Sequence, residues 1–168
     1  MITRFLSLLV VALALVGCSQ APQALTLVQT KSPVQLLRNE AWYRLPEVMV
    51  KEDSETTDVS EACDDEGAMR LWRSSTIALL TNSQAARVVT AGDNLAASFV
   101  EQGWTAERSE EGVAVLTVLT RPVSIAVIEI EAVEKTQEHR ASIRITASGP
   151  CVRTSGADSD EVRDLEGD

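Results

Sequence analysis

The stretch from Val113 to Ala147 constrains the fold more than any other part of the chain. It holds three strand-like runs, Val113 to Thr120, Val123 to Ala132 and Arg140 to Ala147. Arg121-Pro122 separates the first two, and a polar segment from Glu134 to His139 separates the last two. Connections this short leave no room for a crossover helix, so neighbouring strands are expected to run antiparallel. In the last run Ala141, Ile143, Ile145 and Ala147 share one parity, while Arg140, Ser142, Arg144 and Thr146 share the other. A period of two sets the first group against a core and the second toward water. The expectation is an antiparallel sheet with one covered face and one partly wet face.

The cover comes from the segment "NSQAARVVTAGDNLAASFVEQGW". Ala85, Val88, Val89, Gly92, Leu95, Ala96 and Phe99 fall on one helical stripe. Asn82 or Ser83 can cap its start, Gly103 suits a left-handed position after its end, and Trp104 is placed to fold back over Phe99. Upstream, "MRLWRSSTIALL" reads as a strand from Met69 to Leu80, with Met69, Leu71, Ile77 and Leu79 facing the helix. Ser32-Pro33 reads as an N-cap and first helical position, so a helix is expected over 33–45, with Val34, Leu37, Ala41 and Leu45 on one side and Pro46 at its end. The acidic stretch 51–67 shows no apolar period and reads as a surface loop. Residues 153–168 read as a disordered acidic tail. The predicted architecture is α+β: a two-layer sandwich of about four antiparallel strands, one long helix on one face and a preceding N-terminal helix, within a domain spanning 33–152.

The N-terminus sets location. Phe5 to Val16 is an apolar run behind Arg4. A helix of that length is roughly 18 Å long, short of the ~30 Å hydrocarbon core. It has the length of a signal-peptide core and lacks the polar face of a surface helix. Leu15-Val16-Gly17-Cys18, followed by Ser19-Gln20, resembles the lipobox of bacterial lipoproteins. The resemblance implies a signal peptide over 1–17 and a Cys18 joined to diacylglycerol, open to palmitate labelling, with 18–32 as a tether. The implied location is the extracytoplasmic face of the cell membrane. With Cys18 taken, Cys63 and Cys151 remain. An exported domain with two remaining cysteines usually pairs them, two free thiols being the alternative, and they lack Cys-x-x-Cys redox spacing. Scarce lysine (Lys31, Lys51, Lys135) beside a dozen arginines suggests a high-GC genome. The lipobox, the cysteine before the first predicted strand, "EQGW" and "SGPCV" together resemble small actinobacterial lipoproteins. No catalytic residues come with that resemblance.

The formal charge of −10 disfavours a nucleic-acid partner, which needs a basic patch. It also argues against electrostatic attraction to anionic lipids, and an acidic surface tends to hold a domain off a bilayer. The one histidine, His139, lies in a polar turn and reads as solvated, which leaves no Ser-His-Asp arrangement. No His/Cys cluster has zinc spacing, and no glycine-rich phosphate loop or other cofactor motif appears. Asp58, Glu61 and Asp64 to Glu66 lack the alternation of a calcium loop and read as a solvated charge run. Glu129 and Glu131 share a strand face, which any i, i+2 pair does, and are expected on the wet side. Among the aromatics, Trp42, Tyr43, Trp72 and Trp104, core packing is the ordinary role. Trp72 has the parity opposite to Met69, Leu71 and Ile77 and is therefore the expected contact residue on the open face. The function these features imply is that of a lipid-anchored, non-enzymatic envelope binding or accessory protein, with a protein partner or envelope component. The alternatives are a carrier with a helix–sheet pocket and a small carboxylate-dependent hydrolase.

Overall fold

A computed structural model describes residues 24–46, 54–80, 85–137 and 140–167. The apolar segment, Cys18 and His139 lie outside these residues. In chain order the elements are α1 (Leu27–Arg44), β1 (Ser54–Ala62), β2 (Met69–Leu79), α2 (Val88–Val100), β3 (Thr105–Glu111), β4 (Ala114–Thr120), β5 (Val127–Val133), β6 (Ser142–Ser148), β7 (Val152–Arg153) and α3 (Asp160–Glu166).

The sheet has seven strands, not about four. Its order is β1-β2-β6-β5-β4-β3, all antiparallel, with the short β7 paired to β2. The chain makes the β1–β2 hairpin, crosses the sheet through α2, then returns as the β3–β4–β5–β6 meander until β6 closes on β2. The three predicted runs are β4, β5 and β6. The additional strands β1 ("SETTDVSEA") and β3 ("TAERSEE") are the two edges. An edge strand with little buried surface needs no apolar parity, and charged residues there discourage pairing with other chains. That is why the acidic 51–67 stretch, expected as loop, contains a strand.

Two long helices, not one, lie on the same face, α1 over β2 and β6 and α2 over β4 and β5. α2 buries Val88, Ala91, Gly92, Leu95, Ala96 and Phe99, close to the expected stripe. It ends as the sequence suggested. Gly103 has φ +84, its N–H donates to Val100 O, and Trp104 N–H donates to Phe99 O. The Trp104 and Phe99 rings meet edge-to-face at 5.6 Å. α1 begins six residues before the expected Pro33 start. Thr26 and Gln29 form a capping box at its N-terminus, and Pro33 lies inside the helix. The local signal of Ser32-Pro33 is outweighed by a buried stripe that starts earlier, at Leu27 and Thr30, and continues through Val34, Arg38 and Ala41. Arg44 joins the two helices, donating to Ser98 O and Oγ (3.2 Å each) with its guanidinium 4.2 Å from the Phe99 ring centre.

Residues 160–166 of the expected tail form α3, so that stretch is structured. Val162 is buried in a cluster with Leu27, Val34 and Trp72, and Glu166 accepts from the Ser60 N–H (3.0 Å) on edge strand β1. The buried Val162, the partly buried Leu165, the Lys31 bond to Leu165 O and the Glu166 contact to the edge strand hold this seven-residue helix, whose apolar positions are too few to register as a period. The Cys63–Cys151 disulfide is present, with Cα atoms 6.2 Å apart. It ties the β1–β2 connection to the segment between β6 and β7.

Candidate functional site

The covered face of the sheet is filled. Leu119, Ile128, Ile130, Ile143 and Ile145 pack under the helices with Phe99 and Leu95. The approach is close at Gly149, where a Cβ would lie 3.2 Å from Thr30 Cβ and 3.3 Å from Val34 Cγ2. Concavities among the described residues open at the surface, including one where Val89 of α2 meets Arg108 and Val115 of the sheet.

β2 meets the helices with the parity opposite to the one expected. Arg70, Trp72, Ser74, Thr76 and Ala78 are buried, while Met69, Leu71, Ile77 and Leu79 lie on the open face. Trp72 is 0% exposed beneath α1, which removes it as a contact residue. Counting aliphatics favoured the wrong parity because α1 and β1 supply polar partners to the other one. Arg38 Nε donates to Ser74 Oγ (3.0 Å), and its Nη2 lies 3.6 Å from Asp58 Oδ2. Arg70 donates to Ser60 Oγ (2.6 Å) and Ser60 O (2.7 Å). Thr56 and Thr76 share a hydroxyl hydrogen bond of 2.9 Å. A polar group buried with its partners loses little, so Trp72, the largest apolar side chain of the strand, decides which face goes inward.

The inverted register creates a concavity on the open face. Across β1, β2 and β6 the open face dips into a depression of about 290 Å³ lined by Glu55, Thr57, Glu61, Arg73, Arg144 and Thr146, with Ser75, Val59 and Ile77 among them. Cross-strand register explains the grouping, since Thr57 opposes Ser75, Ser75 opposes Thr146, and Ile77 opposes Arg144. Ser75 and Thr146 share a hydroxyl hydrogen bond of 3.0 Å. Arg73 Nε lies 3.1 Å from Glu61 Oε2, and Arg144 Nε 3.5 Å from Glu131 Oε2. Glu129 and Glu131 lie on this face, as expected from the sequence. Sequence reasoning missed Arg73 and read Glu61 as part of a solvated charge run. Arg73 shares the parity of Met69 and Leu71, so it could be placed on the open face only after that parity had been.

The remaining sequence-predicted residues scatter. Trp104 is buried, Trp42 is half-buried against the core, and Tyr43 is 83% exposed. Asp64 accepts from the Met69 N–H (3.0 Å) and so shapes the β1–β2 turn. Among the described residues no group of three His, Cys, Asp or Glu side chains is placed to hold a metal. At the opposite edge, Arg108 of β3 donates to Glu110 and to Asp93 of α2, and these bonds raise its guanidinium above its ordinary pKa, tying that edge to the helix. Comparison with protein-family models, with curated proteins and with solved structures gave no match.

Proposed function

We propose that this is a lipid-anchored, non-enzymatic protein of the bacterial cell envelope, held on the extracytoplasmic face of the membrane through Cys18, which binds a protein partner through the open face of its sheet. The observation that carries the binding reading is the composition of the face left uncovered. It mixes half-buried aliphatics (Leu71, Ile77, Leu116, Val118) with arginine-paired acids and a hydroxyl row, so it offers a partner both apolar area and polar groups. Glu61 and Glu131 each face an arginine. Acids matched in this way suit recognition better than hydrolysis, which needs two carboxyls whose environments drive their protonation apart. The tightly filled helix–sheet layer counts against a carrier. The anchor reading rests on Leu15-Val16-Gly17-Cys18 behind its apolar run.

Two measurements test the two halves. A photo-crosslinking residue at Thr57, exposed on the rim of the depression, is expected to capture discrete partners in cells that make the protein, while one at Glu101, at the end of α2, is not. Identical capture at both positions would remove the open face as the binding surface. Radiolabelled palmitate is expected in the wild type and absent from Cys18→Ala; equal labelling sinks the anchor.

A further inference from the structure

α1 has apolar residues on two opposite sides. The inward stripe of Leu27, Thr30, Val34, Arg38 and Ala41 is accounted for by the sheet. Leu25 lies just ahead of the Thr26 N-cap, and at 100° per residue Val28, Leu36 and Tyr43 of the helix project within one arc on the far side. Their exposures are 41, 54, 68 and 83%. These four make up half of the large hydrophobics exposed among the described residues. Two more, Val123 and Ile125, lie in the β4–β5 connection, whose Ala126 packs into the same buried cluster as Leu27 and Val34. Three of the exposed apolar residues therefore lie on the outside of α1, with Leu25 just before its first turn.

We propose that this outer face of α1 lies on the lipid surface to which Cys18 is anchored. The proposal rests on the anchor reading of Cys18, and the chain length between them supports it. α1 starts at Leu27, nine residues after Cys18, instead of at Pro33. A fully extended connection of that length reaches about 30 Å, little more than the ~27 Å length of α1 itself. The N-terminal end of α1 is thus held within about one helix length of the headgroups, and it is this helix that presents the apolar stripe. The charged residues between Leu27 and Arg44 are all engaged within the protein, Lys31 over the Trp72 ring, Arg38 with Asp58 and Ser74, and Arg44 with Glu40, so the seating rests on the apolar stripe and the tether and not on charge. Tyr43, with an apolar ring and a polar tip, suits the depth at which headgroups meet acyl chains. Seated on this stripe, α1 would lie along the interface plane, its other side already held by the sheet; among the described residues no helix is long and apolar enough to span. Because both long helices share one face of the sheet, this orientation turns the open face away from the membrane, toward partners.

The test uses the lipoprotein purified from bacterial cells and reconstituted in vesicles of phosphatidylcholine and phosphatidylglycerol. With Cys18 acylated and Cys63 bonded to Cys151, an introduced cysteine is the free thiol for a nitroxide label. Leu36→Cys places the label on the stripe, Tyr43→Cys is a second site on it, and Ser109→Cys places it on the open face. The expected result is that the labels at 36 and 43 collide more with dissolved oxygen than with a water-soluble nickel chelate, and that the ratio reverses at 109. Equal water exposure at all three sites, in protein that carries palmitate and floats with the vesicles, overturns the proposal and leaves the anchor standing. Labels at 36 and 43 shielded from both reagents would show a protein covering, a second copy or a partner, and also overturn it. Absence of palmitate removes the anchor reading and this proposal with it.

Discussion

Trp72 shares its buried cluster with residues of α1, β6, β7 and α3, with Lys31 Nζ 4.5 Å from its ring centre while that ammonium also donates to Leu165 O. Replacing it with alanine would leave a large cavity in the smaller of the two buried clusters. Trp72→Ala is expected to lower unfolding stability by about 3–5 kcal/mol in urea titrations followed by circular dichroism. Tyr43→Ala, on the exposed side of α1, is expected to change it by no more than about 0.5 kcal/mol. A stability loss at Trp72 as small as that at Tyr43 would contradict the buried register of β2. Arg38 gives a complementary test. Arg38→Ala strands Ser74 Oγ and the Asp58 carboxylate beneath α1 and is expected to cost about 1–3 kcal/mol, whereas Arg153→Ala, at an exposed position of β7, is expected to be nearly neutral.

At the scale of elements, α1 is the one whose boundaries and faces matter most. Its first turn depends on Thr26, whose hydroxyl accepts from Gln29 N–H while the Gln29 side chain accepts from Thr26 N–H. Pro33 works against it, because a proline in a helix interior removes one hydrogen bond and its ring crowds the preceding turn. Pro33→Ala is therefore expected to stabilise the protein by about 1–2 kcal/mol, the helix gain being partly offset by the freer unfolded chain. Gly149, just after β6, lets α1 approach closely because it has no side chain to meet Thr30 and Val34. Gly149→Ala is expected to cost about 1–3 kcal/mol, because the new methyl meets Thr30 and Val34 on a helix that is already docked. The edge strands explain why element counting from the sequence fell short. β4, β5 and β6 were legible because each is buried on one face, which imposes alternation. β1 and β3 have little to bury, so nothing in their side chains marks them, and their backbone pairing to β2 and β4 exists only once those strands are in place.

For the whole molecule, the Cys63–Cys151 bridge joins positions 88 residues apart and so constrains the unfolded chain over most of the domain. Paired Cys63→Ser and Cys151→Ser substitutions are expected to cost about 2–5 kcal/mol, read as an earlier urea midpoint. The bridge fastens the β1–β2 end of the sheet, where α3 also packs and where edge strand β1 is capped by Glu166. The molecule therefore has one face closed by helices, one end held by covalent and helical contacts, and one sheet face open. That open face is the product of a single choice of register in β2, since a shift of one residue moves every side chain of a strand to the other side.

The sequence by itself determined the α+β class, the antiparallel succession of β4, β5 and β6, the α2 stripe with its Gly103-Trp104 ending, and the cysteines available to pair. Each of these is written in local periodicity, in turn chemistry or in a count that needs no partner strand. Only the tertiary structure decided the parity of β2, the burial of Trp72, the two edge strands, the early start of α1 and the folding of residues 160–166. The physical reason is common to all of them. Their energetics depend on groups distant in sequence: Arg38 and Asp58 making a buried Ser74 acceptable, Lys31 and Val162 enclosing Trp72, and paired neighbours making strands of polar edge segments. The depression lined by Arg73, Glu61 and Arg144 belongs with these, because it exists only where three strands from opposite ends of the chain meet in register.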